Sequence, residues 1–205
     1  MKLPERFYRR KDVLKISREL LGKLLCSRQD GVECKVLITE TEAYAGISDR
    51  ASHAYAGRRT ARTEIMYGDG GLAYVYLCYG IHHLFNVVTN VAGIPHAVLI
   101  RAALPYGGLT TLQKRRGRDE AGPKLMPGPG TVAQALGITT ELSGATLQGS
   151  QVWIEDAGVK VPSSQIQAGP RIGVDYAGED AGLPYRYVWS GTSGVAVRPC
   201  RADSA

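Results

Sequence analysis

Apolar positions recur along the chain at two periods, and each period marks out elements. Val13, Ile16, Leu20, Leu21 and Leu24 repeat at helical spacing behind Asp12, an N-cap residue. A core-packing helix is expected over 13–25, weakened near its end by Gly22. QDG at 29–31 reads as a turn, after which Val32, Cys34, Val36 and Ile38 alternate as in a half-buried strand. The connection 45–71 is rich in glycine, serine and arginine, and connections of that length are uncommon unless functional or disordered. LAYVYLCYG at 72–80 is a strong strand. Leu72, Tyr74, Tyr76 and Cys78 fall on one face of it, and Ala73, Val75, Leu77 and Tyr79 on the other. IHHLFNVVTN stays extended and HAVLIRAAL at 96–104 is a further strand, so an antiparallel meander is expected. Helices are expected over 109–118 and 131–136, the second stopped by Gly137. Strands are expected at 151–156, 170–176, 185–189 and 195–197.

The period of two that starts at Val32 does not stop at Ile38. Continued, it sets Glu40, Glu42 and Tyr44 on the face of the apolar residues. Burial disfavours an ionised carboxylate, which must then be paired, protonated or given a task. The plainer alternative ends the strand at Ile38 and leaves both glutamates solvated. Parity alone does not rank Glu40 against Glu42.

Composition narrows the class. A chain of 205 residues, 44% hydrophobic and 21% charged, fits one soluble domain with a sizeable core. No apolar run is long enough to span a bilayer, and MKLPERFYRRKDV lacks the core of a secretory signal, so the cytosol is the expected location. Cys26, Cys34, Cys78 and Cys200 have no metal-ligand spacing and read as small apolar residues in a reducing compartment. Between His53 and Arg118 eight Arg/Lys stand against two acids, which accounts for the whole net charge of +6. That balance favours a polyanionic partner over a neutral one.

The chemistry-bearing residues cluster in the same part of the chain. Tyr74, Tyr76 and Tyr79, with Tyr44, are ordinary strand residues one by one. Together they could stack a planar base, with Tyr79, before Gly80, projecting from a turn. Arg101, at the end of an apolar strand, needs an anion, either a carboxylate or a phosphate. Asn86 and His53 could each meet a ligand or satisfy backbone. His82 and His83 are adjacent and point apart on a strand, a poor metal pair. GPGTVAQALG places glycines before a helix, a possible phosphate cradle, but lacks the Gly-Lys-Ser/Thr of a P-loop. No lysine accompanies the carboxylates, so water activated by a general base fits better than an amine nucleophile. Two function classes can be read from these residues alone: a non-catalytic module that stacks bases on tyrosines, and a glycoside hydrolase using Glu40 with Glu42, which the basic window argues against.

E-T-E-A-Y, His53, G-R-R-T, Y-V-Y-L-C-Y-G, Asn86 and L-I-R-A, in this order and spacing, resemble the alkyladenine (3-methyladenine) DNA glycosylases, a type first known from mammals and also found in bacteria. The resemblance implies an α+β fold: a single mixed domain over 1–205, built on a curved antiparallel β-sheet with peripheral helices. It implies a monofunctional enzyme of base excision repair without metal, cofactor or AP-lyase step. Such an enzyme flips 3-methyladenine, hypoxanthine or ethenoadenine out of duplex DNA and hydrolyses the N-glycosidic bond. The implied partner is double-stranded DNA with damaged purines, met by a monomer in the bacterial cytosol or nucleoid. Carried over by position, Glu42 is the general base and Arg101 helps to hold the water. Tyr44, His53 and Tyr76 are the walls and edge contact of the base pocket. Asn86 is the pocket-floor residue that screens out guanine, and Tyr79 is the wedge in the duplex. Arg58 and Thr60 are near the DNA backbone. The resemblance leaves Glu40 either a structural carboxylate or one that supports the catalytic residues from behind. Two departures stand out: Thr131 replaces a basic residue common after the family's Gly-Pro-Gly/Ser, and Ile81 and His82 follow the wedge where the family varies.

Overall fold

A computed structural model describes residues 1–192; the strand expected at 195–197 and Cys200 lie outside the described residues. The architecture is α+β. Eight strands form one antiparallel sheet that curls into a half-barrel: β1 (Leu24–Gln29), β2 (Val32–Tyr44), β3 (Ala73–Cys78), β4 (His82–Thr89), β5 (His96–Gly107), β6 (Val152–Glu155), β7 (Ile166–Gly169) and β8 (Arg186–Trp189). The main path runs β3-β4-β5-β2-β1-β6, and β8 joins β7 to the far half of β2.

The thirteen-residue strand β2 organises the sheet. β5 pairs along one edge of it, from Lys35 to Tyr44. On the other edge β1 covers Val32 to Leu37, and β8 takes over from Glu40 to Glu42. The changeover coincides with two register shifts against β5, between Ile38 and Glu40 and between Glu40 and Thr41. Such bulges bend a strand and raise its twist. They give Glu40 and Glu42 their own setting, so the parity counted from Val32 does not run unbroken to Tyr44.

One face of β2 carries the core. Helix α2 (Val13–Leu20) lies against it through Ile16 and Leu20, and the buried Ser17 hydroxyl donates to Thr41 Oγ1 at 2.9 Å. Thr41 and Glu42 alternate in direction, so Glu42 faces away from α2. The helix begins as expected: Asp12 accepts from the Lys15 amide. It ends at Leu20, five residues before the expected stop. Leu21 is extended and Gly22 has φ 78°, where a Cβ would come within 2.7 Å of Val161 Cγ2. Leu24 therefore opens β1 instead of closing a helix.

Helices α3 (Leu109–Arg116) and α4 (Pro129–Leu136) pack on each other, and α4 also packs on β1, β4 and β5. A short α1 (Glu5–Tyr8) buries Tyr8. The long connection between β2 and β3 is ordered by three 3₁₀ turns, Gly46–Ser48, Tyr55–Gly57 and Glu64–Tyr67. The expected strand at 170–176 is absent. Pro170 has no amide to give a ladder and Gly173 has φ 73°, so the chain leaves the sheet after β7 and forms a loop. That loop crosses the open face of β2.

Candidate active site

A cavity of about 200 Å³ opens on the face of the sheet turned away from α2. Strand alternation supplies its walls: Glu42 and Tyr44 from β2, Tyr74, Tyr76 and Cys78 from β3, Asn86 from β4, and Leu99 and Arg101 from β5. His53 enters from the β2–β3 connection, and Ile172 to Val174 close the side from the 170–174 loop. Pro129 brings the start of α4 to the edge.

Glu42 is wholly buried, yet surrounded by groups that favour its charge. Its Oε1 accepts from the Ile172 amide at 2.8 Å, and its Oε2 from the Tyr44 hydroxyl at 2.9 Å. Arg101 Nη1 lies 3.4 Å from Oε1. Burial pushes the carboxyl above the usual carboxylate range, against the pull of Arg101, the Ile172 amide and Tyr44; Glu40 adds to the rise. Glu40 is engaged otherwise. Its Oε1 accepts from Arg101 Nε and from Arg186 Nη1, each at 3.1 Å. It bridges two guanidiniums and fixes Arg101 against Glu42. The two glutamates that parity could not rank thus have different surroundings: Glu42 lines the cavity and Glu40 does not.

Tyr74, Tyr76 and His53 form one aromatic wall. His53 stands edge-on to Tyr76 with centroids 4.6 Å apart, and its Nδ1 is 2.8 Å from the Tyr74 hydroxyl. Burial, then Arg62 and Arg58, hold the His53 pKa down to about 4, so the ring is neutral at neutral pH. Asn86 is buried at the cavity floor, its Nδ2 bonded to the carbonyls of Tyr74 and Leu84. Those bonds spend the amide donors and leave the carbonyl oxygen as the free polar group of the side chain.

The rim differs. Tyr79 has φ 51° in the β3–β4 turn, which Gly80 and an Ile81 amide to Cys78 carbonyl bond complete, and its ring is 90% exposed. Arg58 and Thr60 are also exposed, on the connection that carries His53. Thr60 is part of a turn in which its amide donates to Thr63 Oγ1. Arg59 is held by Glu64 through two bonds, and Arg62 lies over the Tyr76 ring, 5.9 Å from its centroid. The basic window seen in the sequence is not one surface. Arg101 is in the cavity, while Arg115 and Arg116 on α3 bond to carbonyls at Gln29, Leu125 and Ala135. Arg115 sits at the C-terminal end of α4, about 12 Å along the helix from Pro129.

Sequence reading missed four groups here: Arg171, Asp49, Arg186 and the Ile172 amide. The Arg171 side chain is fully buried and chelated by Asp49 at 2.6 and 2.8 Å. An arginine in an apolar run needs an anion, in PRIGV as much as in LIRA, and that signal could have found Arg171. At the start of α4, Thr131 takes up the Gly128 amide, so its side chain caps the helix internally.

The pattern that defines the methylpurine-DNA glycosylase family matches residues 6–193. The chain belongs to this family. Curated relatives agree along nearly the full length. A Chlamydia abortus protein is 47% identical over 188 residues, covering 91% of this chain and 97% of that one. A Bacillus cytotoxicus protein is 45% identical over 199 residues, covering 91% and 95%, and a Chlamydia felis protein is 45% identical over 187 residues with the same coverage. Each carries the name "Putative 3-methyladenine DNA glycosylase". Membership makes the chain a DNA glycosylase, a hydrolase acting on N-glycosyl bonds with DNA as its substrate. Among the described residues no helix is long and apolar enough to cross a membrane.

Proposed function

We propose that the chain is a monofunctional 3-methyladenine DNA glycosylase in which Glu42 activates the water that displaces a flipped purine. The observation that carries this reading is the buried Glu42, held by the Ile172 amide, the Tyr44 hydroxyl and Arg101 at the inner end of a tyrosine-lined cavity. A carboxyl whose pKa is raised toward the working pH, yet kept ionisable by donors, is suited to take a proton from water.

The step balances as follows. Water oxygen attacks C1′ of the deoxyribose, its proton passes to Glu42, and the N-glycosidic bond breaks with its electron pair leaving on the purine nitrogen. A base alkylated at a ring nitrogen carries positive charge and departs neutral, so it needs no acid. Tyr44 and Tyr76 offer electron-rich faces that attract such a cation in the cavity they line. The cost of extruding a nucleotide, a few kcal/mol, is lowest for damaged pairs and adds selectivity. Tyr79 fills the space left in the duplex, and Arg58 and Thr60 meet the backbone. Asn86, pinned at the floor by the Tyr74 and Leu84 carbonyls, screens out guanine through the space that its side chain fills. Hypoxanthine and ethenoadenine are secondary substrates of the same pocket, and the enzyme acts as a monomer on duplex DNA.

Replacing Glu42 by Gln keeps the shape and removes the base. Release of free 3-methyladenine from alkylated duplex should fall by about 10²–10⁴-fold, while the affinity for a lesion duplex stays near that of the wild type. Wild-type protein that binds the lesion and releases no base would favour the base-stacking module instead. Borohydride should trap no covalent complex with DNA, because a water nucleophile forms no Schiff base.

A further inference from the structure

We infer that the buried Arg171–Asp49 ion pair, which lies behind the cavity wall without lining it, is the positioning device that sets the orientation of Glu42. This rests on the reading of Glu42 as the general base. The geometry starts with Asp49. Besides the two bonds from Arg171, its carboxylate accepts from the amides of Ala45 and Ala51 at 2.9 and 3.0 Å. It therefore locks the chain as it leaves β2. Arg171 also donates to the Ala43 carbonyl at 2.9 Å, between Glu42 and Tyr44. Its guanidinium lies over the Tyr44 ring, 4.8 Å from the centroid, with Tyr185 at 5.2 Å.

Both hydrogen bonds to Glu42 depend on this cation. The Tyr44 hydroxyl is aimed at Oε2 by a ring that the guanidinium supports. The Ile172 amide that donates to Oε1 belongs to the next residue in the chain. A mobile loop after β7 would not hold one amide on a carboxylate, and anchoring Arg171 in the core removes that freedom. A buried ion pair is weak support for stability in itself, since apolar residues of equal volume often do as well. What apolar residues could not supply is the fork that grips Asp49 and the Ala43 carbonyl while a planar face supports Tyr44.

The charged and titratable groups facing Glu42 are Arg101 from β5, Glu40 on its own strand, Tyr44, Tyr76 from β3, and Arg171 and Tyr176 from the 170–176 segment. Arg101 is fixed separately, by Glu40. Disturbing Arg171 thus removes the loop amide and the tyrosine hydroxyl from Glu42 while its principal cation stays. Loss of donors to the charged form raises a carboxyl pKa.

The test uses Arg171→Lys and Asp49→Asn in the full chain, with circular dichroism to establish the fold. Single-turnover release of 3-methyladenine should drop by about 10-fold or more, and the acid limb of the rate profile should move up by about 1 pH unit. Affinity for the lesion duplex should stay within about 2-fold, because neither residue lines the cavity. Wild-type rates with an unmoved acid limb overturn the proposal. So does a parallel fall in rate and affinity without a limb shift, and so does loss of the fold in both variants, each of which marks the pair as structural. Glu42→Gln measured alongside separates the two levels. If it keeps activity, the role of Glu42 itself fails; if it is inactive while Arg171→Lys behaves as wild type, only the positioning role fails.

Discussion

The floor and the rim of the cavity are built on opposite plans. At and just behind the floor, the charged side chains are paired before any DNA arrives: Glu42 with Ile172, Tyr44 and Arg101, Glu40 with Arg101 and Arg186, and Arg171 with Asp49. At the rim, Tyr79, Arg58 and Thr60 face solvent. A preorganised floor spends no reorganisation at the moment of reaction. Binding of a polyanion, by contrast, is mostly electrostatic and draws on exposed side chains of this kind. The division implies that floor substitutions change rate and rim substitutions change capture.

The largest effect expected from that division comes at the floor, where the loss of base release in Glu42→Gln should leave lesion binding in place. Equal losses of release and binding would merge floor and rim into one surface. Tyr79→Ala comes next. Release from duplex should slow by about 10-fold or more through weaker capture of the extruded nucleotide, in keeping with a few kcal/mol of unstacking. The same variant should recover most of its rate on a lesion in single-stranded DNA, where no gap needs filling. An equal defect on both substrates would place Tyr79 in the chemistry.

A smaller effect is expected at Arg58→Ala. Affinity should weaken alike for lesion and undamaged duplex, and the slope of log affinity against log salt should shrink by about 1. A changed release rate at saturating enzyme would contradict a backbone role. The smallest effect concerns stability. With its pKa held down to about 4 by burial, then Arg62 and Arg58, native His53 resists the proton that the unfolded chain accepts near 6.5. Its contribution is complete above pH 6.5 and is lost as pH falls toward about 4. His53→Gln should flatten that part of the stability curve, as read by denaturant melts at stepped pH, and an unchanged slope would refute the shift.

Much of this was legible in the sequence where local period and side-chain chemistry agree. Alternation placed Tyr74, Tyr76 and Cys78 on the face that lines the cavity, and the Tyr79-Gly80 pair fell at a turn as expected. Glu40 and Glu42 were singled out by extending the strand, and the strand does reach Tyr44. Their ranking came from the family resemblance; in the fold the two have different partners. What stayed hidden depends on contacts between distant segments. Arg171 and Asp49 are 122 residues apart, and the Ile172 amide that reaches Glu42 lies 130 residues from it. No period reports such pairs. Residues 170–176 misled because Arg-Ile-Gly-Val alternates like a strand, while Pro170 and the positive φ of Gly173 take it out of the sheet. The helix over 13–25 overran for a similar reason: Leu24 keeps helical phase but follows Gly22 in a left-handed turn. Charge counting blended three settings, since Arg58, Arg101 and Arg115 differ in role although they share a sign.

The central claim is that a buried, preorganised Glu42 takes the proton from water. It is tested most directly by the pH dependence of single-turnover 3-methyladenine release in the wild type and in Glu42→Gln. Burial raises the Glu42 pKa, so the wild-type rate should climb with pH through an acid limb above the ordinary carboxylate value of 4.5. In Glu42→Gln the residual rate should be small and lack that limb. A Gln variant that keeps the limb, or that releases base at the wild-type rate, would show that another group performs the step.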